Sequence, residues 1–323
     1  MTTPRVIVTR RWPEEVENRL TEIFDTELNL DDYPMSVADL QNALRSADAV
    51  LPTVSDQVTA EVLSAAPMRT KILSSFGVGF NHIDLDAAKA ARLTVTNTPE
   101  VLTDCTADLA IALLLMVARR TGEGERQIRG ESWSGWRPTH MMATRVTGKT
   151  LGLIGMGRIA QAVARRAGRG FGMRILFYDP FPPKDEDLEG LNARACPSSE
   201  EVFANADFVS LHCPGGKDTY HLIGADAFAA MRPDAFLINT ARGDVVDEAA
   251  LADALQTGQI AGAGLDVYER EPQITKALLA MDQVVLLPHL GSATHETRVA
   301  MGLRVIDNLQ AFFSGAAPPD KVV

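Results

Sequence analysis

Short, strongly apolar runs alternate with helix-like segments along most of this chain of 323 residues. Runs this apolar are typical of parallel strands covered on both faces, since a helix usually crosses over the sheet between one parallel strand and the next. The alternation therefore predicts an α/β protein built on parallel sheets. Ligands of such sheets bind in the crevice beyond the carboxyl ends of the strands. Residues directly after the apolar runs are thus the first candidates for a functional site.

Three ionisable residues of different types follow three of these runs. They are Arg242 after residues 235–241, Glu271 after residues 260–268 and His289 after residues 284–288. Arginine can hold a carboxylate through two hydrogen bonds, histidine can exchange a proton near neutral pH, and glutamate can orient and charge that histidine. This set is suited to redox chemistry on a small 2-oxo acid, provided that a hydride donor binds beside it.

A glycine-rich turn upstream predicts the site for that donor. The strand-like run 150–155 leads through Gly157 into a helix-like stretch, and the next strand-like run ends at Asp179, 22 residues after Gly157. Gly155 permits the tight turn, Gly157 lets the backbone approach a pyrophosphate, and Ala160 takes the third glycine position. A glycine-rich turn without a ligand is the alternative, but the strand, the helix and the spaced acid together favour a dinucleotide. Asp179 would bind ribose hydroxyls and repel a 2′-phosphate, which favours NAD over NADP.

The chain divides into two units of alternating strands and helices. The first covers residues 4–99 and the second residues 149–289, so the length is enough for two domains. Between them, residues 100–120 predict one long apolar helix that is buried, and residues 122–148 show no clear periodicity. A final helix is predicted over residues 296–313, after the second sheet is complete.

Composition excludes several classes of function. The net charge of −11 and the isoelectric point near 5.1 argue against a broad surface for nucleic acid or anionic membrane. Cys105, Cys196 and Cys213 are few and odd in number, which suits buried thiols in a reducing cytoplasm. The apolar run 109–118 is too short to span a bilayer, and residues 1–9 lack the apolar region of a signal peptide. The sequence shows no spacing of residues typical of a metal site. Taken together, the charge, the cysteines and the apolar runs predict a cytoplasmic protein that binds no metal, nucleic acid or membrane.

Five motifs follow one another in an order that covers nearly the whole chain. They are FGVGFNHID at 76–84, GMGRI at 155–159, NTARG at 239–243, LDVYEREP at 265–272 and LPHLGSAT at 287–294. In this order they resemble the D-isomer specific 2-hydroxyacid dehydrogenase family. VLTDCTAD at 101–108 and WRP at 136–138 are similar to its glyoxylate/hydroxypyruvate reductase branch.

The resemblance implies a Rossmann NAD-binding domain inserted into a smaller, flavodoxin-like substrate domain, both doubly wound on parallel sheets. The substrate domain would comprise residues 1–99 and 291–323, because the last helix returns to it, and the dinucleotide-binding domain residues 100–290. Residues 100–148 would be the dimerisation region of a homodimer. Trp136 or its neighbours from His140 to Met142 would then help to close the partner's substrate pocket. The alternative is that Trp133 and Trp136 pack within their own subunit.

The resemblance also implies an oxidoreductase that reduces glyoxylate or hydroxypyruvate to the D-2-hydroxy acid with NADH. His289 would donate the proton, Glu271 would pair with it, and Arg242 would bind the substrate carboxylate. Glu269 is nearer to its strand than Glu271, but Glu271 precedes Pro272 as the family pattern requires.

Further contacts are implied for the substrate and the cofactor. The backbone amides of Val78 and Gly79 resemble a second carboxylate clamp, with a simple strand-to-helix turn as the alternative. Asp266 would contact the nicotinamide carboxamide, or else cap a helix. The cofactor-binding set is Thr106, Gly155, Gly157, Arg158, Ile159, Asp179, Cys213, Pro214, Thr240, Ala241, Arg242, Asp266, His289, Gly291 and Ser292. Within this set Cys213 and Pro214 resemble the adenine-side wall, and Gly291 and Ser292 the nicotinamide-side contact.

Other functions on the same scaffold stay open from the sequence. The donor could be another 2-hydroxy acid, or formate or phosphite. Formate enzymes lack the glutamate–histidine pairing, whereas phosphite enzymes keep a similar triad, so only an assay separates that case. A non-enzymatic, NAD-sensing protein of the corepressor kind is a further alternative, and turnover with glyoxylate would decide it.

Overall fold

The computed structural model describes residues 3–323, except for the side chain of Asp185. The chain forms two compact units, of which the first runs to Leu102 and resumes at Ser292–Val323, and the second is Thr103–Gly291. Residues 1 and 2, which the predicted substrate domain includes, lie outside the described residues. Each unit is built on its own parallel sheet, so the predicted fold class is confirmed.

The sheet of the first unit has five strands in the order β2-β1-β3-β4-β5, which is the flavodoxin-like order. The strands are β1 (Arg5–Val8), β2 (Asp25–Glu27), β3 (Ala49–Leu51), β4 (Ile72–Ser74) and β5 (Thr94–Thr96). The helices of this unit are α1 (Glu14–Ile23), α2 (Val37–Ser46), α3 (Ala60–Leu63), α4 (Leu85–Ala90) and, far along the chain, α12 (His295–Phe313).

Local sequence signals account for the start of several of these helices. Ser36, Thr59 and Asp84 each accept a hydrogen bond from a backbone amide in the first turn of the helix that follows, as predicted for N-caps. The last helix, α12, packs on α1, and Gly302 lies so close to Val16 that a β-carbon at this glycine would overlap the valine side chain. The first unit is therefore completed by residues that follow the second unit in sequence.

The sheet of the second unit has seven parallel strands in the order β12-β11-β10-β9-β6-β7-β8, a Rossmann order with one added strand. The strands are β6 (Thr150–Ile154), β7 (Arg174–Tyr178), β8 (Ala193–Ala195), β9 (Phe208–Leu211), β10 (Phe236–Asn239), β11 (Gly262–Leu265) and β12 (Val284–Leu286). The helices are α5 (Thr103–Ala118), α6 (Thr121–Arg129), α7 (Arg158–Phe171), α8 (Ser199–Asn205), α9 (Ala225–Ala230), α10 (Glu248–Gln256) and α11 (Lys276–Leu279). Short 3-10 helices cover Asp185–Leu188 and Gly243–Val245.

The core of the second unit lies on both faces of this sheet. Every residue of β6 is buried, which explains why its sequence is apolar after Thr150. Ala160 and Val163 of α7 are buried against residues of the sheet. Full burial of a valine side chain stabilises the folded state by about 1.5–3 kcal/mol. Arg166 on the same helix donates to Asp104 and Asp108 and so links α7 to α5. The glycine-rich turn between β6 and α7 is therefore held on a rigid support.

The segment between the predicted units differs from the prediction at residues 100–129. The expected single helix over 100–120 ends at Ala118, and Arg120 adopts a left-handed backbone with φ of +53°. A second helix, α6, then covers part of the stretch in which no helix was predicted. None of the residues of α6 is buried, so no apolar periodicity could reveal it. An ion pair within its first turn, between Arg120 and Glu123, supports it instead.

In the described part of the chain, no helix combines the length and the apolar character needed to cross a membrane.

Candidate active site

The three predicted catalytic residues lie at one edge of the second unit's sheet. Strands β10, β11 and β12 are neighbours, and Arg242, Glu271 and His289 follow their carboxyl ends in that order. Because all three belong to this unit, their mutual geometry can be described directly. The edge they share is the one at which parallel α/β sheets bind ligands.

Glu271 and His289 form a hydrogen-bonded pair. Glu271 Oε2 lies 2.8 Å from His289 Nδ1, and the other carboxylate oxygen accepts a hydrogen bond from the Tyr268 amide at 3.0 Å. The side chains are 36% and 29% exposed, respectively, so the pair is partly open to solvent. Since Nδ1 is engaged by Glu271, Nε2 is the nitrogen that can exchange a proton with a bound molecule.

The charge of Glu271 is maintained by its neighbours. Burial raises the pKa of Glu271, but the hydrogen bond and charge of His289, the Tyr268 amide and the charge of Arg242 outweigh it, and the pKa is lowered from 4.5. Glu271 is therefore ionised at neutral pH. A carboxylate with a depressed folded pKa stabilises the fold above its ordinary pKa, and this contribution is lost as the pH falls through the lower, folded value.

The turn that carries His289 is held by Asp266. Both Asp266 carboxylate oxygens accept backbone amides, from Leu290 at 2.6 Å and Gly291 at 2.8 Å, and the His289 amide donates to the Asp266 carbonyl at 2.9 Å. Burial raises the pKa of Asp266 despite these amides and the charge of His289. His289 itself has a left-handed φ of +54°, a conformation that is rare for residues other than glycine and recurs at functional sites. The imidazole position is thus fixed by backbone contacts, while the predicted carboxamide contact of Asp266 stays a prediction.

Arg242 lies on a turn that Asn239 shapes. The Asn239 side chain accepts the Ala241 amide at 3.0 Å and donates to the Arg242 carbonyl at 2.9 Å. Burial lowers the pKa of Arg242, while the carboxylates of Glu271 and Asp244 raise it. An arginine stays protonated in proteins even so, which leaves a partly desolvated guanidinium beside the Glu271–His289 pair.

Gly243 allows the Arg242 turn and the segment before Glu271 to touch. A β-carbon at Gly243 would overlap the backbone carbonyl of Tyr268, so no larger residue fits without movement of one segment. The Tyr268 hydroxyl in turn donates to the Leu287 carbonyl at 2.7 Å, two residues before His289. A close backbone approach and a side-chain hydrogen bond therefore connect the three segments that carry the three side chains.

The turn between β6 and α7 has the features of a dinucleotide site. Gly155 has a φ of +88°, and a β-carbon there would lie 2.8 Å from the Cys213 amide nitrogen. Gly157, at the start of the 14-residue helix α7, has nothing within 4 Å of its β-carbon position. Open space above a glycine at a helix N-terminus fits a pyrophosphate. The residues present thus fit the predicted nicotinamide dinucleotide.

Asp179 lies at the end of β7, beside this turn. Its carboxylate accepts the Met156 amide at 2.7 Å and the Phe181 amide at 2.8 Å. Each carboxylate oxygen accepts one of these amides, and the residue as a whole is half-buried. The position suits recognition of ribose hydroxyls, as the fingerprint requires.

The remaining predicted residues divide between the two units. Thr106 and Gly291 meet in the second unit, where the Thr106 hydroxyl donates to the Gly291 carbonyl at 3.1 Å. Arg158, Ile159, Cys213, Pro214, Thr240 and Ala241 also belong to the second unit, whereas Val78, Gly79 and Ser292 belong to the first. In the first unit the Val78 carbonyl accepts a hydrogen bond from Asn97 at 2.8 Å, which fixes the loop. Substrate binding by the Val78 and Gly79 amides stays a prediction.

Three further ionisable side chains, His212, Cys213 and Glu269, lie in the same unit and are distinct from the Glu271–His289 pair. Burial lowers the pKa of His212 to about 4, so this imidazole is neutral at pH 7. Burial raises the pKa of Cys213 to about 11, so it remains a thiol. Glu269, the rival to Glu271 in sequence, lies 3.2 Å from His221. Glu269 therefore pairs with His221, and Glu271 pairs with His289.

Sequence reasoning missed Asn239 and Tyr268 as residues that shape the site. Asn239 carried a usable signal, since asparagine after a strand commonly bonds to the backbone of the next turn. Tyr268 carried none, because a tyrosine after an apolar strand reads equally well as part of the core.

Comparison with known proteins gives a family for this arrangement. Residues 111–291 match the family model "D-isomer specific 2-hydroxyacid dehydrogenase, NAD binding domain". The chain is 45% identical over 321 residues to a glyoxylate reductase of Korarchaeum cryptofilum, covering 99% of this chain and 96% of the relative. It is 44% identical over 323 residues to a glyoxylate reductase of Thermococcus litoralis, with the same two coverages, 99% and 96%.

A solved structure is similar over the same length. The NADPH-dependent glyoxylate/hydroxypyruvate reductase of Sinorhizobium meliloti, in complex with NADP and malonate, superposes with a TM-score of 0.88 at 36% sequence identity. The match covers 100% of this chain and 97% of that one. The likeness therefore extends over the residues of both units.

Proposed function

The chain belongs to the D-isomer specific 2-hydroxyacid dehydrogenase family, and on this premise we propose that it reduces glyoxylate and hydroxypyruvate to the D-2-hydroxy acid with NADH. The family resemblance of the five motifs is thus confirmed, and the protein is an oxidoreductase. The observation that carries the proposal is the 2.8 Å contact between Glu271 and His289, beside the Arg242 guanidinium. The glyoxylate reductase relatives support the choice of substrate.

His289 is proposed as the proton donor. When bound, a reduced nicotinamide would supply the hydride for the carbonyl carbon. His289 Nε2 would deliver the proton to the carbonyl oxygen, on which negative charge develops. Glu271, ionised at neutral pH, favours the imidazolium that carries this proton. General acid catalysis of this kind typically contributes about 10²–10⁴-fold in rate.

Arg242 is proposed to hold the substrate carboxylate. A guanidinium binds a carboxylate through two parallel hydrogen bonds, which fixes the orientation of the 2-oxo acid as well as its charge. The partial burial of Arg242 strengthens this interaction, because less water competes for the guanidinium. Orientation of the carbonyl beside His289 follows from this anchor.

A panel of substrates tests the proposed function. We expect NADH oxidation with glyoxylate and hydroxypyruvate, and slower oxidation with pyruvate and bulkier 2-oxo acids. Phosphite with NAD is included because enzymes of that class keep a similar triad. Absence of turnover with every 2-oxo acid would overturn the proposal. Turnover of phosphite alone would then favour that donor, and absence of turnover with all of these substrates would favour the NAD-sensing alternative. The substrate panel does not test the location of the protein, and a cytoplasmic location stays a prediction.

We predict that catalytic efficiency is higher with NADH than with NADPH. We propose that Asp179, which follows β7 beside the glycine-rich turn, would face the 2′ position of the adenosine ribose. Repulsion between its carboxylate and a 2′-phosphate should then cost about 1–3 kcal/mol, or roughly 5- to 150-fold. The measurement is kcat/KM for both cofactors at saturating glyoxylate. The Sinorhizobium meliloti relative, which is NADPH-dependent, shows that the alternative exists in similar proteins.

Asp179→Asn is the variant that isolates the charge. It should narrow the preference for NADH, whereas Asp226→Asn, which removes an exposed carboxylate in the first turn of α9, should leave the preference unchanged. Equal or higher efficiency with NADPH in the unaltered protein would contradict the assignment of NAD.

We further predict a homodimer that buries the segment around Trp136. Trp133, Trp136 and Met142 are 50%, 81% and 72% exposed. Large exposed apolar side chains in one segment usually mark an interface. Light scattering at micromolar concentration should give twice the 34.9 kDa mass of one chain. A monomer under these conditions would contradict the prediction.

The pocket role of this segment is tested separately. Trp136→Ala should raise KM for hydroxypyruvate if residues 136–142 close the partner's substrate pocket. Tyr33→Ala, which removes an aromatic side chain that is 71% exposed in the first unit, is the matched control. An unchanged KM and kcat in Trp136→Ala would remove the pocket role and leave the dimer standing.

A further inference from the structure

Glu248 is a buried carboxylate to which the proposed mechanism gives no part. It is 5% exposed and is the first residue of α10. Glu248 Oε1 accepts the Glu269 amide at 2.8 Å, and Oε2 accepts the Thr275 amide at 3.1 Å. Capping of α10 does not need Glu248, because the Asp247 side chain already accepts two amides of the first turn. Its carboxylate is therefore directed at another segment.

That segment is residues 269–275, which we call the Glu271 loop. The two amides that Glu248 binds are those of its first and last residues, so one carboxylate spans the whole loop. Inside the loop, the Gln273 amide donates to the Arg270 carbonyl at 2.8 Å, which closes a turn around Glu271. The position of Glu271 is thus set by a turn whose two ends share one anchor.

We propose that Glu248 is a positioning residue for the reduction, because it holds the Glu271 loop where Glu271 can pair with His289. The inference rests on the proposed function, since it assigns Glu248 a role in the same reaction. Hydrogen bonds from amides to a carboxylate are stronger than those between neutral groups, and water has little access to replace them here. A misplacement of about 1 Å in an active site can cost up to roughly 100-fold in rate. Loss of one end of the anchor should therefore be visible in catalysis.

Glu248→Gln is the first test. A glutamine side chain can accept one of the two amides through its oxygen, but its NH₂ group would face the other amide, so one end of the loop is released. We expect kcat with glyoxylate to fall on the order of tenfold while the Kd for NADH is unchanged. Glu200→Gln makes the same change on an exposed first-turn residue of α8 and should retain full activity.

The pH profile separates positioning from general damage. In Glu271→Gln the imidazolium loses its partner, so the alkaline limb of the reduction profile should move to lower pH and kcat should fall less than on loss of His289. Glu248→Gln should move the same limb in the same direction. Arg242, Asp266 and Tyr268, the other ionisable groups around the pair, are identical in both variants.

A double mutant tests whether Glu248 acts through Glu271. If it does, adding Glu248→Gln to Glu271→Gln should change kcat by less than about twofold, because the pair is already lost. A further tenfold loss in the double mutant, or a wild-type pH profile in Glu248→Gln, would overturn the proposal.

Thr275→Pro gives an independent test that leaves Glu248 in place. Thr275 has a φ of −56°, which proline adopts, and proline lacks the amide that donates to Glu248. We expect it to reproduce the lower kcat and the shifted alkaline limb, whereas Thr275→Val, which keeps the amide, should not. Wild-type behaviour of Thr275→Pro would overturn the role even if Glu248→Gln failed to fold. An unaltered protein inactive with every 2-oxo acid would instead remove the proposed function.

Discussion

Alanine in place of His289 is expected to lower kcat for glyoxylate reduction by about 10²–10⁴-fold, the usual contribution of a general acid. The Kd for NADH should change little, because the histidine lies after β12, far along the sheet order from the β6–α7 turn. Steady-state kinetics and NADH fluorescence titration measure the two quantities.

His295→Ala is the control for this prediction. His295 also lies near a carboxylate, Glu15 at 3.4 Å, but its side chain is 71% exposed. Its removal should leave kcat unchanged. If His289→Ala kept more than about a tenth of the wild-type kcat, His289 would not be the proton donor.

Glutamine in place of Arg242 is expected to reduce kcat/KM for glyoxylate by about 30- to 5,000-fold. Removal of one partner from a desolvated charge pair costs about 2–5 kcal/mol, and the lost partner here is the proposed anchor of the substrate carboxylate. The substitution also removes a positive charge beside Glu271 and Asp244. Most of the loss should appear in KM if Arg242 binds the ground state, and in kcat if it mainly orients the carbonyl.

Arg232→Gln provides the comparison for Arg242. Arg232 is an exposed residue of the same unit that pairs with Asp234 at 2.9 Å, and surface pairs of this kind contribute little. The change should leave kcat/KM near the wild-type value. Retention of kcat/KM within tenfold in Arg242→Gln would exclude Arg242 as the carboxylate anchor.

The strands that are covered on both faces could be predicted from the sequence, whereas the exposed edge strands β2 and β8 could not. All five residues of β6 are buried, and the same is true of the shorter β9 and β10, so each of these strands is apolar except for one residue, Thr150, Ser210 or Asn239. The edge strands β2 and β8 have three residues each, none of them buried. Without burial there is no apolar pattern, and such a segment reads as a loop.

The parts of the candidate site that directly follow the end of a strand could be predicted from the sequence. Arg242, Glu271 and His289 could be grouped because parallel strands end at one edge and these three strands are neighbours. The apolar pattern could not decide whether Glu269 or Glu271 pairs with His289. Only the family motif, in which the glutamate precedes a proline, favoured Glu271. Glu248 carried no signal at all, because an acid in a first helical turn is ordinary and its amide partners lie more than 20 residues away in sequence.

The return of α12 to the first unit affects how the chain folds during synthesis. The second unit is continuous over Thr103–Gly291, so it leaves the ribosome whole and can fold as soon as it emerges. The first unit lacks α12 until residues 295–313 have been made, which at about 5–20 residues per second is roughly 10–40 s after Leu102 is added. Throughout this interval the nascent chain exposes the apolar surface around Val16, on which Gly302 later packs. In this protein the unit whose synthesis begins first is therefore the last to be completed.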